Sequence, residues 1–290
     1  MTRRKLLFLA ATAAKSPITT LLFGGDVMLC RAIGRQARER HDPALPFRDL
    51  APRLRAADIT FANLEAPFSD QGKTVDTGMV FKAEPEMIEG LKTAGIDVVS
   101  TANNHARDRG AYGLEYTLKW LSENGIASAG TGPTAALAHQ GTVLVRNGLR
   151  FGFLAYAQDQ ANGNYQDLDP RVCDMDIARM QQDVAALRLR ADVVTVSMHA
   201  GMEYSTRVHP IQTKFAQAAI DAGARIVAGH HPHVVQPWEL YREGVVFYSL
   251  GNLVFDQSDR PATREGLLAE VVLQGREIAR VTVSRTPPPD

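Results

Sequence analysis

The sequence predicts an α/β fold with a largely parallel core sheet. Short apolar runs rich in β-branched residues alternate with segments of helical periodicity along most of its 290 residues. Three of the helical segments end in glycine directly before an apolar run, which is typical of a helix C-cap followed by a strand. Strands that alternate with helices indicate βαβ units and therefore parallel pairing.

The individual strands and helices follow from these patterns in chain order. Seven strands are expected, at residues 18–25, 57–63, 96–102, 149–156, 191–198, 224–229 and 245–250. Four helices are expected between them, at residues 85–95, 113–125, 176–191 and 211–223. After residue 245 the alternation stops, and residues 266–284 predict a hairpin that turns near Gln274-Gly275. The carboxyl-terminal strands are therefore expected to be antiparallel.

The composition excludes several classes of protein. Lys plus Arg and Asp plus Glu each number 32, so the formal net charge is zero and no nucleic-acid partner is expected. The two cysteines, Cys30 and Cys173, are too few for a disulfide scaffold or a cysteine zinc site. No repeat, low-complexity linker or composition break divides the chain, so residues 18–290 are expected to form one domain.

Residues 1–17 are interpreted as a leader or a disordered amino terminus. Arg3, Arg4 and Lys5 precede an apolar stretch at residues 6–14 with Ala-x-Ala triplets, which is the outline of a secretory signal. This stretch is too short to span a bilayer, and no other run approaches the roughly 18 apolar residues of a transmembrane segment. The protein is expected to be exported or envelope-associated if the leader is a signal peptide, and cytoplasmic otherwise.

Side chains suited to metals or phosphates follow directly after five of the predicted strands. They are Asp26, Glu65, the run Asn103-Asn104-His105 with Asp108, His199 with Glu203, and the cluster of His230, His231 and His233. Ligands bind at the carboxyl ends of strands in open α/β sheets, so these side chains are expected to converge. Carboxylates, an amide and imidazoles form a mixed oxygen and nitrogen set that suits Mn, Fe or Zn better than Ca.

Each of these elements also has an ordinary structural interpretation. Asp26 alone is typical of a helix N-cap or Asx-turn, and Asn103-Asn104 is typical of a turn. Glu65 fits a loop carboxylate, and His199 fits a hydrogen-bonded core histidine. Three imidazoles within residues 230–233 are harder to explain without a metal. Because all five groups fall at the same end of their strands, we favour a metal or phosphate site.

Seven blocks of sequence carry a family resemblance between residues 18 and 257. They are GDVMLCR (25–31), ANLEAPF (62–68), STANNHARDRG (100–110), SAGTGPTAALA (128–138), MHAGMEY (198–204), GHHPHVVQ (229–236) and YSLGNLVFDQ (248–257). Together they closely resemble the CapA family, the capsule or poly-γ-glutamate synthesis proteins. That family looks like a branch of the calcineurin-like metallophosphoesterases. The resemblance therefore implies a four-layer α/β/β/α sandwich around a two-metal site.

The resemblance also implies roles for individual residues. Six side chains would bind divalent metal: Asp26 and His233 at a first site, Glu65 as the bridging carboxylate, and Asn104, His199 and His231 at a second site. His105 would be the general acid that protonates the leaving group. Arg31 and Glu203 would contact substrate or support the site. Spacing alone does not decide between His230 and His231 as the ligand.

Two departures from the metallophosphoesterase pattern weaken the expectation of two bound metals. Met28 stands where the first motif has a histidine ligand, and Glu65 stands where the bridging residue is normally aspartate. One or two ions are therefore expected, with the first site the weaker.

The function implied by the resemblance is metal-dependent hydrolysis of the phosphoesterase type, linked to capsule or poly-γ-glutamate biosynthesis. The expected substrate is an anionic polymer or a phosphoester, and a capsule synthesis complex is the expected partner. The alternative is a non-catalytic component that binds an acidic polymer for synthesis or export. The missing imidazole at Met28 favours this alternative, whereas the intact Asn103-Asn104-His105 run favours the hydrolase.

Overall fold

The computed structural model describes residues 16–71, 79–158 and 168–286. Residues 1–15 of the predicted leader therefore lie outside the described residues. Within the described ranges the longest helix has 14 residues, and no helix combines the length and the apolar character needed to cross a bilayer.

Thirteen strands are present in the described ranges. They are β1 (Ile18–Val27), β2 (Ile59–Leu64), β3 (Val98–Ser100), β4 (Ala127–Ala129), β5 (Thr142–Arg146), β6 (Leu149–Ala157), β7 (Val193–His199), β8 (Ile226–His230), β9 (Trp238–Tyr241), β10 (Gly244–Phe247), β11 (Asn252–Val254), β12 (Leu267–Gln274) and β13 (Glu277–Arg285). The seven strands predicted from apolar runs correspond to β1, β2, β3, β6, β7, β8 and β10. The predicted hairpin is formed by β12 and β13, with Gln274 opposite Glu277 at the turn.

Seven α-helices and three short 3-10 turns connect the strands in the same ranges. The helices are α1 (Arg31–Glu39), α2 (Ala51–Leu54), α3 (Ile88–Ala94), α4 (Gly110–Glu123), α5 (Ala135–Gln140), α6 (Ile177–Leu187) and α7 (Pro210–Ala222). The 3-10 turns are Leu45–Phe47, Pro85–Met87 and Pro261–Arg264. The four predicted helices correspond to α3, α4, α6 and α7. Helices α3 and α7 end at Gly95 and Gly223, both with a left-handed backbone, which confirms the predicted glycine C-caps.

The strands form two sheets rather than one. The first sheet has the order β13-β12-β1-β2-β3-β4, and β11 pairs with the carboxyl end of β1. The second sheet has the order β5-β6-β7-β8-β10-β9. In each sheet the central strands are parallel and antiparallel strands lie at an edge: β12 and β13 in the first, β5 and β9 in the second. The parallel core and the antiparallel carboxyl terminus were both predicted correctly.

Three apolar layers hold the sandwich together. Between the sheets, Phe61 of β2 stacks on Phe153 of β6 with ring centroids 5.8 Å apart. The outer face of the first sheet packs against α1, α2, α3 and α4, and that of the second against α5, α6 and α7. This arrangement confirms the α/β/β/α sandwich that the family resemblance implied. Burial of these faces is the main favourable contribution to folding.

Candidate metal centre

The carboxyl ends of five strands, β1, β2, β3, β7 and β8, meet at one edge of the sandwich. In the first sheet, Asp26 near the end of β1 pairs in register with Asn63 on β2 and with Asn252 on β11. In the second sheet, His199 at the end of β7 lies opposite His230 at the end of β8. Because the two sheets face each other, these two rows of polar side chains enclose one buried site.

Asp26 is completely buried among polar groups of this site. Its Oδ1 accepts a hydrogen bond from Asn63 Nδ2 at 2.8 Å and lies 3.3 Å from Nδ1 of His230. Its Oδ2 accepts a hydrogen bond from the backbone N–H of His231 at 3.2 Å and lies 3.3 Å from Nδ1 of His233. These contacts fix the carboxylate between the first sheet and the histidine cluster.

Glu65 supplies a second buried carboxylate, and one of its oxygens has no hydrogen-bond partner among the described residues. Its Oε2 accepts from Asn63 Nδ2 at 3.3 Å, so one amide contacts both carboxylates. Its Oε1 lies 3.5 Å from Nε2 of His233 and 4.0 Å from Nε2 of His199 without a hydrogen bond. A buried polar atom in this state costs free energy unless a ligand satisfies it.

His199 connects the residues assigned by the resemblance to a second metal. Its Nε2 lies 2.8 Å from Asn104 Oδ1 and 3.1 Å from Nδ1 of His231. Its Nδ1 lies 3.3 Å from Nδ2 of Asn63. An amide oxygen and two imidazoles therefore converge at one point beside the two carboxylates.

The other two histidines of the cluster lie on the Asp26 side. His230 is completely buried, and neither of its ring nitrogens has a hydrogen-bond partner among the described residues. His233 has Nδ1 3.0 Å from Asn252 Oδ1, which orients the ring. The His231 ring thus lies against His199, whereas the His230 ring lies against Asp26, and both remain candidate ligands.

His105 lies at the border of the site, held from two sides. Its Nδ1 is 2.6 Å from Oδ2 of Asp108, and its ring stacks on Phe81 with centroids 3.9 Å apart. The backbone N–H of Phe81 also donates to Asp108 Oδ2, at 2.6 Å. A carboxylate on Nδ1 fixes the ring orientation and directs Nε2 as the nitrogen for proton transfer.

Burial governs the protonation of the cluster. Burial lowers the pKa of His199 well below its usual range, and repulsion from His231 adds to the shift. Burial and the charge of His233 lower the pKa of His231 to about 4. Both rings are therefore neutral at pH 7, which is the form that binds metal.

The two carboxylates shift in opposite directions. Burial raises the pKa of Glu65 well above its usual range, and the neighbouring charge of Asp26 raises it further. Burial opposes ionisation of Asp26 as well, but the neighbouring rings of His230 and His233, each 3.3 Å from the carboxylate, hold the pKa of that carboxyl well below its usual range. Two buried carboxylates that repel each other form an acceptor set that favours a cation.

Backbone strain is concentrated at the site. Among the non-glycine residues of the described ranges, seven have positive φ, and four of these surround the cluster: Arg31 (52°), Tyr204 (63°), His231 (94°) and His233 (57°). Positive φ in non-glycine residues costs free energy and persists only where the surrounding structure enforces it. The loops around the cluster therefore hold these four residues in a backbone conformation that their side chains alone would disfavour.

The two predicted substrate contacts lie at the rim. The Arg31 guanidinium is 5.9 Å from the centroid of the Phe81 ring that stacks on His105, and its Nε lies 3.3 Å from Asp256 Oδ2. Glu203 is exposed in the loop after β7, where its charge acts on Glu65. Neither side chain is part of the buried cluster itself.

Two residues of the site were missed by sequence reasoning. Asn63 contacts Asp26, Glu65 and His199, and Asn252 orients His233. Asparagine near a strand end is typical of a turn, so residue type alone gave no signal. The available signal was position, because Asn63 lies near the end of the same strand that Glu65 follows, two residues before it.

The donors present fit a divalent metal ion. Asp26, Glu65 and His199 each offer a ligand atom within 4.8 Å of the others, and all three are buried. The orphaned Glu65 Oε1 and the unpartnered imidazole of His230 are the polar atoms that a cation would satisfy. Carboxylate oxygen with neutral imidazole nitrogen is the donor chemistry of Mn, Fe and Zn sites.

Comparison with known proteins assigns these residues to a family. The model of the bacterial capsule synthesis protein PGA_cap matches residues 20–257, a range that contains every residue of the metal centre. The chain belongs to this family.

Two relatives carry the CapA name. The capsule biosynthesis protein CapA of Bacillus anthracis is 32% identical over 250 residues, and the PGA biosynthesis protein CapA of Bacillus subtilis (strain 168) is 31% identical over 266 residues. The alignments cover 82% and 90% of this chain. They cover 60% and 70% of the two relatives, so the chain spans less than two thirds of the length of the first.

Solved structures with the same fold include nucleotidases. A hypothetical protein from Thermus thermophilus superposes with a TM-score of 0.57 at 19% identity, covering 93% of this chain and 100% of the other. A putative 5′-nucleotidase from Staphylococcus aureus gives 0.55 at 14% identity, covering 94% and 55% of the two chains. The NAD nucleotidase of Haemophilus influenzae gives 0.54 at 11% identity, covering 94% and 56%. At these identities the likeness establishes the metallophosphoesterase-like fold alone.

Proposed function

We propose that the chain is a metal-dependent hydrolase of the phosphoesterase type that acts in capsule or poly-γ-glutamate biosynthesis. The observation that carries this proposal is the completely buried Glu65 oxygen without a partner among the described residues, inside a cluster of carboxylates and neutral imidazoles. Membership in a capsule synthesis family supports the biological setting.

The ligands follow from the two halves of the cluster. Asp26 and His233 would hold one divalent ion, Asn104, His199 and His231 a second, and Glu65 would contact both. A bound divalent ion supplies Lewis acidity, polarising a phosphoryl oxygen and lowering the pKa of water to about 7. The absence of an imidazole at Met28 makes the Asp26 half the weaker of the two.

The chain's own residues position the proton and exclude water. His105 would protonate the leaving oxygen from Nε2, because Asp108 holds Nδ1 at 2.6 Å. The Phe81 ring covers one face of that imidazole and keeps it in a single orientation. Arg31, next to Phe81, would bind the anionic part of the substrate at the rim.

Metal content and phosphoester turnover, measured on one preparation of the whole chain, test this proposal. We expect about one or two equivalents of Mn, Fe or Zn by elemental analysis, and hydrolysis of p-nitrophenyl phosphate that EDTA abolishes and Mn²⁺ restores. The variant His199→Ala is expected to lose both metal and turnover. Full activity and full metal content in that variant would show that the ligand assignment is wrong.

A second candidate function is favoured by the packing of Met28. This side chain is completely buried, and its sulfur accepts hydrogen bonds from the Cys30 backbone N–H at 3.3 Å and the Cys30 thiol at 3.0 Å. Met28, at the position where the metallophosphoesterase motif has a histidine ligand, is thus a packed core side chain. The corresponding function is binding of an acidic polymer through the metal without hydrolysis. Stoichiometric metal with no turnover of any phosphoester would support it.

A further inference from the structure

The positive charge of this neutral chain is concentrated in one segment. Residues 31–55 contain seven arginines and three acidic residues, a net charge of +4 in a protein whose overall net charge is zero. The segment begins at α1 and continues through the Leu45–Phe47 turn and α2 on the outer side of the first sheet. A local excess of this kind produces a positive surface potential even when the total charge is balanced.

Three of these arginines lie along the exposed face of α1. Arg35 and Arg38 follow Arg31 at i+4 and i+7, and all three are exposed. The opposite face, with Gly34 and Ala37, is buried against the protein. Because residues at this spacing share one face of a helix, the guanidinium groups form a single stripe.

Apart from Arg31, which pairs with Asp256, the stripe is only weakly neutralised by carboxylates. Arg35 has only a marginal ion pair with Glu39, 4.0 Å away, with both side chains more than 60% exposed. Among the described residues, no carboxylate lies within ion-pair distance of Arg38, although Glu86 lines the same surface cavity of about 440 Å³. Exposed pairs of the Arg35 type contribute little stability, so the stripe has no evident structural purpose.

The stripe begins at the metal centre. Arg31 is anchored by Asp256, whose Oδ2 lies 3.3 Å from Arg31 Nε and accepts the backbone N–H of Ala32 at 3.0 Å. The Arg31 guanidinium also lies 5.9 Å from the Phe81 ring, the same ring that stacks on His105. A ligand that reaches from His105 along α1 would therefore meet Arg31, Arg35 and Arg38 in turn.

We infer that α1 is a docking surface for a linear polycarboxylate, one end of which lies at the candidate metal centre. The inference rests on the proposed function for the position of that end. The spacing agrees with this ligand, since the helix rise separates Arg31 from Arg35 by about 6 Å and Arg35 from Arg38 by about 4.5 Å. Same-side side chains of an extended polypeptide are about 7 Å apart, which the long arginine side chains can match.

Binding of a fluorescently labelled linear decaglutamate, followed by anisotropy with the whole chain in Mn²⁺ at low salt, tests this inference. The double variant Arg35→Gln/Arg38→Gln is expected to bind about tenfold more weakly than the wild type. The matched control is Arg242→Gln/Arg280→Gln, which removes two equally exposed arginines (63% and 65%, against 62% for Arg35) outside α1, in the β9–β10 turn and on β13. This control is expected to remain within twofold of the wild type.

Three results would overturn the docking surface: no binding of decaglutamate by the wild type, equal weakening in both double variants, or no weakening in either. Equal weakening would mean that only the total charge matters. The hydrolase proposal is decided separately by turnover of p-nitrophenyl phosphate in the wild type. If the protein binds decaglutamate through Arg35 and Arg38 but hydrolyses no phosphoester, the docking surface is supported and the hydrolase proposal is wrong.

Discussion

The two ends of the sandwich hold charged residues in opposite ways. At the amino ends of its strands, a surface cavity of about 590 Å³ is lined by arginines and carboxylates that pair with each other. Arg242 lies 2.7 Å from Asp221, and Arg150 and Arg276 both bind Asp192. At the carboxyl ends the charged groups are buried, and Glu65 Oε1 and the His230 ring have no hydrogen-bond partner among the described residues.

This difference distinguishes charges that stabilise the fold from polar groups that are arranged to bind a ligand. Paired charges at the amino ends satisfy one another at the surface and require no ligand. Buried polar atoms that lack partners at the carboxyl ends are tolerated only if a ligand satisfies them. The volume of the cavity at the amino ends therefore does not indicate a functional site. The candidate site is identified instead by its buried polar atoms that lack hydrogen-bond partners.

The strongest test of this difference is to neutralise one aspartate at each end and to compare the effects on metal binding. Asp26→Asn is expected to weaken metal binding by more than the roughly 10–100-fold that loss of an outer-shell partner costs, because it removes a proposed ligand. Asp192→Asn is expected to leave metal binding unchanged. Titration of the apoprotein with Mn²⁺ measures both. Equal affinities in the two variants would remove Asp26 from the ligand set.

Two glycine substitutions compare the space around the backbone beside the candidate site with the space around it in a surface turn. A Cβ added at Gly25 would lie 1.9 Å from the carbonyl oxygen of Gly251, because β1 and β11 approach closely beside Asp26. Gly25→Ala is therefore expected to destabilise the fold by about 3 kcal/mol or more. Gly148, in the turn before β6, has open space around its Cβ and a φ of 78°, so Gly148→Ala is expected to cost only about 1–2 kcal/mol. Urea denaturation of both variants checks this order.

Removing a buried charge at the site is expected to stabilise the metal-free protein. Glu65→Gln relieves the burial of a carboxylate beside Asp26, so the free energy of unfolding in EDTA should rise by about 1–3 kcal/mol. The same variant should lose affinity for Mn²⁺. A thermal midpoint in EDTA that falls instead would mean that Glu65 is a structural residue.

The smallest expected effect is a pH dependence at the amino ends. Hydrogen bonds from Arg150 lower the pKa of Asp192 to about 2. The folded pKa is thus below the unfolded one, so this ion pair stabilises the fold above about pH 4, and the stabilisation disappears as the pH falls toward 2. Asp192→Asn should cost about 1 kcal/mol at pH 7 and almost nothing near pH 2. Denaturation curves at the two pH values measure the change, and a cost that does not vary with pH would contradict it.

Sequence patterns predicted the strands that lie in longer apolar runs and the terminal hairpin, but they missed several short or exposed strands. The strands β6, β7 and β8 are continuous apolar runs, so their period and length identify them. The strands β4 and β11 have three residues each, too few to show a period, and the edge strand β9 is half exposed. Division into two sheets depends on tertiary packing, and here it was supplied by the family resemblance.

The site shows the same division between local pattern and tertiary pairing. Asp26 and His199 were predicted because each follows an apolar strand directly. Asn252 was missed because its part depends on the pairing of β11 with β1, which places it opposite Asp26. Because Asp26 and Asn252 are 226 residues apart in the sequence, no local sequence pattern can predict that they pair.

The position of β1 also determines when the site can exist during synthesis. This strand emerges from the ribosome before the other described strands, yet its partners β11 and β12 lie more than 220 residues later in the chain. Closing such long loops is slow, and the exposed edge of β1 invites wrong pairing in the meantime. The proposed ligands around Asp26 therefore reach their places only after β11 and β12 have been translated. Loading of the proposed centre with metal would then be a late step that follows the pairing of these strands.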